Sequence, residues 1–95
     1  MDGMTRFDPS EHLDEAEIQA ELLDEALATG NPRVIVHAIG TIARARGMTS
    51  LARDSGIARG TLYKAIADDG NPTLETLMTV LAALQIDLSA KVAAR

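Results

Sequence analysis

Signals that end helices divide this chain of 95 residues into five segments. Gly30 and Gly47 each close a segment with helical apolar spacing. Gly56 and the loop at 68–72 make two further breaks, and Thr73 can cap the last helix. Within the segments, apolar residues recur three and four positions apart, as on one face of a helix. A chain this short forms one domain, so we expect an all-α domain of five helices.

The first two helices have recognisable start signals. Asp14 is a capping residue with an acidic residue three positions later, so the first helix is predicted to begin there, after an extended arm at 1–13. Asn31 can cap the second helix, with Pro32 at its first position. The domain is therefore expected to span 14–95. The apolar face of the first helix is predicted to consist of Ile18, Leu22, Leu23, Ala26 and Leu27.

The end of the chain changes to the two-residue period of a short C-terminal β-strand, with apolar residues at Ile86, Leu88, Ala90 and Val92. A single strand leaves its backbone groups unpaired, so it would pair with the N-terminal arm or with a second copy of the chain. An Ala-rich helical extension is the alternative. We expect a homodimer built by the fifth helix and this strand, with contacts at Leu84, Ile86, Leu88 and Val92.

The composition excludes several classes of function. The chain has no Cys, which removes disulfides, thiolate metal ligands and a Cys nucleophile. Its two histidines, His12 and His37, belong to no cluster with metal-ligand spacing, and there is no Gly-rich phosphate loop. We therefore expect no enzyme, no cofactor and no metal. The chain contains no apolar run long enough for a membrane span and no signal-peptide pattern, so a cytoplasmic protein is expected.

The net charge of −5 conceals an uneven distribution. Residues 1–30 contain nine acidic residues and one basic residue, whereas residues 31–67 contain six basic residues and one acidic residue. A basic middle segment is typical of a surface that binds nucleic acid, although the negative net charge of the whole chain opposes strong non-specific binding to DNA. The alternative is a solvated helical surface of mixed charge.

The segment at about 48–67 has the spacing of a helix-turn-helix. Ala52 is small where two short helices cross, and Gly56 follows four residues later at the turn. Leu62 and Ile66 then anchor the second helix. Its other residues would face outward together and could enter the major groove of DNA: Arg59, Gly60, Thr61, Tyr63 and Lys64.

Each outward residue has a physical role on DNA. Arg59 is the candidate for a bidentate contact with guanine, and Thr61 for a contact with a base edge or a thymine methyl. Lys64 is expected to meet phosphate. Tyr63 could contact the sugar–phosphate backbone or pack on the fifth helix.

Further contacts are predicted beside the second helix. Thr49 and Ser50 lie at the start of the third helix of the chain, whose N–H groups can cradle a phosphate. Asn71 could reach the DNA backbone from its loop, or it could simply be a turn residue. Three arginines could widen the phosphate footprint or remain solvated charges: Arg44, Arg46 and Arg53.

Residues 48–86 resemble the phage-repressor (Xre/Cro-type) helix-turn-helix domain without a gap. Three further features point to one family within this class: the arm at 7–13, the ARARGM lead-in at 43–48 and the LYKA stretch at 62–65. With the closing LQIDLS, they make the chain similar to the addiction-module antidote family over about 6–90. That family comprises HigA-like antitoxins of type II toxin–antitoxin pairs. Ala58 stands where the family commonly has Ser, and Gly60 replaces a longer polar residue.

The resemblance implies a RelE/ParE-type toxin partner, a dimeric antitoxin and repression of its own operon through operator DNA. Such toxins are basic, so an acidic surface would attract them. Phe7 is expected to anchor the toxin or to pack on the chain's own helices. The acidic toxin-binding candidates lie on the first helix: Glu15, Glu17, Glu21, Asp24 and Glu25. The alternatives are a repressor without a toxin and a helical interaction module that does not bind DNA.

Overall fold

The computed structural model describes residues 10–94, with side chains from residue 15 onwards. Within this range the protein is all-helical, as expected, and its elements are α1 (Ser10–Ala28), α2 (Pro32–Arg46), α3 (Met48–Ser55), α4 (Arg59–Ala65) and α5 (Leu74–Ala83). α1 packs on α2, whereas α3 packs on α2, α4 and α5. The eight-residue α3 therefore lies at the centre of the helical assembly.

The predicted caps of α2 and α5 are confirmed. The Asn31 side chain accepts a hydrogen bond from the Arg33 N–H at 3.0 Å, and Pro32 follows the cap at the first helical position. The Thr73 hydroxyl accepts the N–H of Thr76 at 3.1 Å. These side chains satisfy amide groups that have no partner inside the helix, which is why both helices begin where the sequence predicted.

The core is aliphatic. Its fully buried members come from all five helices and from the residues that follow α4 and α5: Leu23, Ile39, Ile42, Ala43, Met48, Leu51, Leu62, Ile66, Val80, Leu81 and Leu84. The chain contains only one Phe and one Tyr, so packing depends on branched side chains and Met. This core joins α4 to the rest of the protein through Leu62, whose side chain is completely inaccessible.

The first helix differs from the prediction at its start and on its apolar face. α1 begins at Ser10, four residues before Asp14, so residues 10–13 are helical rather than part of an extended arm. No Gly or Pro follows Pro9 until Gly30, and a run without helix breakers can extend towards its N-terminus. Asp14 therefore lies inside the helix instead of capping it.

Only Leu23 and Ala26 of the predicted α1 face are buried. Ile18 is 62% exposed, and Leu22 and Leu27 are also exposed. The reason is that α1 packs mainly on one neighbour, α2, which cannot cover the full width of an apolar face.

The predicted C-terminal strand is also wrong for this chain on its own. Residues 86–94 are neither strand nor helix. Gln85 has a φ of 60°, and the Ile86 N–H donates to the Leu81 carbonyl at 3.0 Å, which ends the α5 segment. A strand needs a hydrogen-bonded neighbour, and the described part of the chain provides none. Leu84, a predicted dimer contact, is buried in the core and has no accessible side chain for a second copy.

Gly40 allows α2 to approach the end of α4. A Cβ atom on Gly40 would stand 2.8 Å from the backbone oxygen of Ile66, a separation that real Cβ atoms do not adopt. Gly in a helix interior costs about 1 kcal/mol relative to Ala. The glycine therefore reflects the close backbone approach rather than a need of the helix.

We expect Gly40→Ala to lower the free energy of unfolding by about 1–3 kcal/mol, because the overpacking cost exceeds the gain in helix propensity. Gly60→Ala is the matched control, since a Cβ atom there would meet nothing within 4 Å. The control should leave stability unchanged or raise it. Denaturant unfolding of both variants measures the difference. A Gly40→Ala protein as stable as Gly60→Ala would contradict this account.

Candidate nucleic-acid interface

A tight turn connects α3 to α4. Gly56 adopts the left-handed conformation with a φ of 74°, and its N–H donates to the Ala52 carbonyl at 3.0 Å. The Ser55 hydroxyl accepts the N–H of Ile57 at 3.2 Å, and the Ile57 side chain packs against the core. Gly suits position 56 because residues with a Cβ atom are strained at this positive φ. The turn therefore sets the direction in which α4 leaves α3.

The inner and outer sides of α4 are clearly separated. Leu62 and, just after the helix, Ile66 are buried, as predicted. The five residues predicted to face outward are all exposed: Arg59, Gly60, Thr61, Tyr63 and Lys64. Burial on one side fixes the helix, and this leaves a polar surface with two basic side chains on the other.

Arg59 and Tyr63 contact each other on the outer side of α4. The Arg59 guanidinium carbon lies 5.2 Å from the centre of the Tyr63 ring, and Arg59 Nη2 lies 3.4 Å from the Tyr63 hydroxyl. This is a cation–π contact between residues four positions apart on a helix. It limits the orientations of the guanidinium while leaving it at the surface.

The starts of α3 and α4 have no side-chain caps. Gly47 precedes α3 and Ala58 precedes α4, and neither position provides a capping side-chain hydrogen bond. Thr49 and Ser50 are exposed in the first turn of α3. The loss of the hydroxyl cap at Ala58, inferred from the sequence, is thus confirmed.

Arg46 has a structural role that the sequence did not reveal. Its Nε donates to the Gln19 side-chain oxygen at 2.7 Å, and its Nη1 donates to the Leu84 carbonyl at 3.0 Å. Arg46 thereby connects α1 to the end of α5 and is occupied within the protein. Arg53 forms an exposed ion pair with its neighbour Asp54 at 3.2 Å. Each of these arginines thus has a partner within the protein, whereas the sequence left it as either a phosphate contact or a solvated charge.

The loop after α4 is held by α2. His37 Nδ1 lies 3.0 Å from Asp68 Oδ1, and Arg33 Nη1 donates to the Asp68 carbonyl at 3.2 Å. The hydrogen bond from His37 lowers the pKa of the Asp68 carboxyl, and the charges of His37, Arg44 and Arg33 act in the same direction. The sequence alone did not indicate this contact, because the two residues lie 31 positions apart.

The same loop folds back on α4 at Gly70. A Cβ atom at Gly70 would stand 2.8 Å from the Lys64 carbonyl and still closer to that of Ala65. Asn71, the predicted DNA contact in this loop, is exposed. The loop is therefore fixed by contacts with both α2 and α4, and Asn71 projects from a defined position.

The predicted toxin-binding acids are all exposed on α1: Glu15, Glu17, Glu21, Asp24 and Glu25. The exposed Ile18 and Leu22 lie among them. α1 therefore has a surface that is both acidic and partly apolar. Phe7 lies outside the described residues.

The described residues contain neither a metal-binding cluster nor a membrane-spanning helix. Between residues 15 and 94, where side chains are described, no three His, Asp or Glu side chains are placed to hold a metal ion. Among the helices of residues 10–94, none combines the length and apolar character needed to cross a membrane.

We expect His37→Ala to raise the pKa of Asp68 towards its ordinary value, because the substitution removes the hydrogen bond that favours the carboxylate. The stabilisation from a lowered carboxyl pKa is present above the unfolded pKa and lost as pH falls through the folded one. Titration of the Asp68 side-chain carbon by NMR measures the shift. Thr41→Ala is the control, since Thr41 bonds only the His37 carbonyl. An unchanged Asp68 pKa in His37→Ala would refute the assignment.

Comparison with known proteins adds a family to this geometry. A protein-family model described as "Probable addiction module antidote protein" matches residues 3–92. An uncharacterised protein of Haemophilus influenzae (strain ATCC 51907 / DSM 11121 / KW20 / Rd) is 51% identical over 81 residues, which cover 84% of this chain and 82% of that protein. No solved structure matches the chain significantly. The match along nearly the whole chain shows that this protein belongs to the probable addiction module antidote family.

Proposed function

We propose that this protein is an antitoxin that neutralises a RelE/ParE-type toxin and represses its own operon by binding operator DNA. Membership of the antidote family supports the toxin partner. The observation that carries the DNA-binding part is the outer side of α4, where exposed Arg59, Thr61 and Lys64 lie opposite the fully buried Leu62. In this proposal α3, the turn and α4 form a helix-turn-helix, and α4 is its recognition helix.

The contacts of α4 explain how it would recognise DNA. The guanidinium of Arg59 is a planar fork that matches the O6 and N7 atoms of guanine. Its contact with Tyr63 already restricts the Arg59 side chain, so DNA binding would cost less conformational entropy. Thr61, which follows Gly60 in the helix, would contact a base edge. Lys64, in the last turn, would contact phosphate.

Flanking groups would position α4 in the groove. The uncapped start of α3, with exposed Thr49 and Ser50, offers N–H groups and hydroxyls to a phosphate. Asn71 would approach the backbone from the loop held by His37 and Arg33. A homodimer would place two recognition helices about 34 Å apart on a palindromic operator.

The toxin is proposed to bind α1. The helix presents carboxylates around exposed apolar side chains, an arrangement suited to a basic partner that covers an apolar centre. The same carboxylates would repel DNA, so the two functions use different helices.

The DNA-binding part predicts distinct defects for two α4 residues. Arg59→Ala should weaken operator binding by about 1–3 kcal/mol, whereas Lys64→Ala should weaken binding to all sequences and lower the salt slope by about one. Arg59→Lys is the matched control, because it keeps the charge and loses the bidentate fork. It should lose sequence preference and keep the salt dependence. Fluorescence anisotropy with the upstream region of the gene measures both quantities. Wild-type binding by both alanine variants would refute this recognition helix.

The toxin-binding part predicts separate kinetic effects for charge and apolar contact on α1. The double variant Glu17→Gln/Glu21→Gln should slow association with the toxin and reduce its salt dependence. Ile18→Ala should speed dissociation, because Ile18 is an exposed apolar group that the toxin would cover. Glu75→Gln on α5 is the charge control. Surface plasmon resonance with the product of the neighbouring gene measures these rates. If α1 variants and control behave alike, the toxin does not bind α1.

A further inference from the structure

The segment that follows α5 forms no regular secondary structure, but its apolar residues alternate with polar ones. Among the described residues, no backbone hydrogen bond involves 87–94. Val92 is 96% exposed and Leu88 is 42% exposed, although both are apolar. A row of unpaired N–H and C=O groups beside exposed apolar side chains is a template for pairing with another strand.

We propose that residues 86–92 pair with the same residues of a second copy of this chain, as antiparallel strands around a two-fold axis at Ser89. In this register Asp87 of each copy lies opposite Lys91 of the other. Ile86 lies opposite Val92, and Leu88 lies opposite Ala90. Cross-strand pairs of opposite charge and apolar pairs on a shared face both favour such a ribbon.

The charges select both the partner and the register. Asp87 and Lys91 are the ionisable side chains of 86–94. A two-fold axis at either of them would place identical charges opposite each other, and an axis at Leu88 or Ala90 would leave both charges unpaired. An axis between two residues would place apolar positions opposite polar ones. The axis at Ser89 is the one that satisfies both the charges and the apolar face.

A groove beside the segment supplies the cover that an isolated two-stranded ribbon lacks. The groove has a volume of about 230 Å³ and lies between α1 and residues 86–89. Leu23 and Leu27 line its helical side, and a helix packed on an apolar face can stabilise a two-stranded ribbon.

Among the described residues, the ionisable groups that line the groove are both acidic, Asp24 and Asp87. Lys91 of the second copy, placed opposite Asp87, would bring the missing positive charge. The groove thus favours the same register as the strand sequence.

This pairing deepens the proposed function and rests on it for the need for a dimer. Operator binding calls for two copies, but it does not say which surface joins them. Leu84, which the sequence assigned to the interface, is excluded by its burial. The pairing is tested without DNA or toxin, so a dimer that forms through another surface would refute the pairing and leave the operator and toxin proposals intact.

Single cysteines test the position of the axis in the full chain, which has no Cys of its own. We expect Ser89→Cys to form a disulfide-linked dimer on mild oxidation, because the two residues face each other. Ala93→Cys is the matched control, since antiparallel pairing separates its two copies by eight residue positions along the strands. Non-reducing electrophoresis measures the linked fraction. Equal linkage of the two variants, or none for Ser89→Cys, would overturn the proposal.

Charge exchange tests the register in solution. Asp87→Lys and Lys91→Asp each place like charges opposite one another, so each should raise the dimer dissociation constant several-fold in sedimentation equilibrium. The double exchange restores both ion pairs and should restore the wild-type constant. A monomeric wild-type chain, or a double variant as weak as the single ones, would show that the segment does not pair in this way.

Discussion

The burial of Leu62 and Ile66 is the interaction on which the candidate interface depends. α4 contains seven residues, and isolated helices shorter than about 12–15 residues are marginal in water. It also lacks a side-chain cap at Ala58 and carries Gly60. Its helical form therefore rests on the aliphatic core, which holds one side of the helix and so defines the other.

Close backbone contacts at two glycines also hold α4 in place. Gly40 lets α2 approach the Ile66 carbonyl, and Gly70 lets the following loop approach the end of α4. His37 and Arg33 fasten that loop to α2. α4 is thus held by α3 at its N-terminal end and by α2 at its C-terminal end. This support keeps the exposed side chains of α4 in a constant arrangement.

The charged residues divide into those that build the protein and those that remain available. Arg46 donates hydrogen bonds to the Gln19 side chain and the Leu84 carbonyl, two contacts that its place in the sequence did not reveal. Arg59 and Lys64 stay exposed on α4, and the acids of α1 stay exposed on another helix. Proposed binding to DNA and to a basic protein therefore involves surfaces of opposite charge on separate elements.

Local sequence signals were accurate where a local interaction decides the structure. The ends of α2 and the start of α5 follow from Asn31, Pro32, Gly47 and Thr73, because capping involves residues only two or three positions apart. The outward side of α4 followed from the spacing of its apolar residues. The start of α1 was missed, because the run without Gly or Pro after Pro9 lets the helix extend past the capping residue Asp14 to Ser10.

The sequence by itself determined the five helices, the break at Gly56 and the exposed residues of α4, since helical period and turn chemistry are local properties. Only the tertiary structure decided which apolar residues of α1 are covered, what Arg46 binds and why position 40 is glycine. Each of those depends on a neighbour distant along the chain, such as the Leu84 carbonyl for Arg46 and the Ile66 carbonyl for Gly40. The alternating period after α5 did not form a strand for the same reason: a strand requires hydrogen bonds from another segment, and period alone cannot supply them.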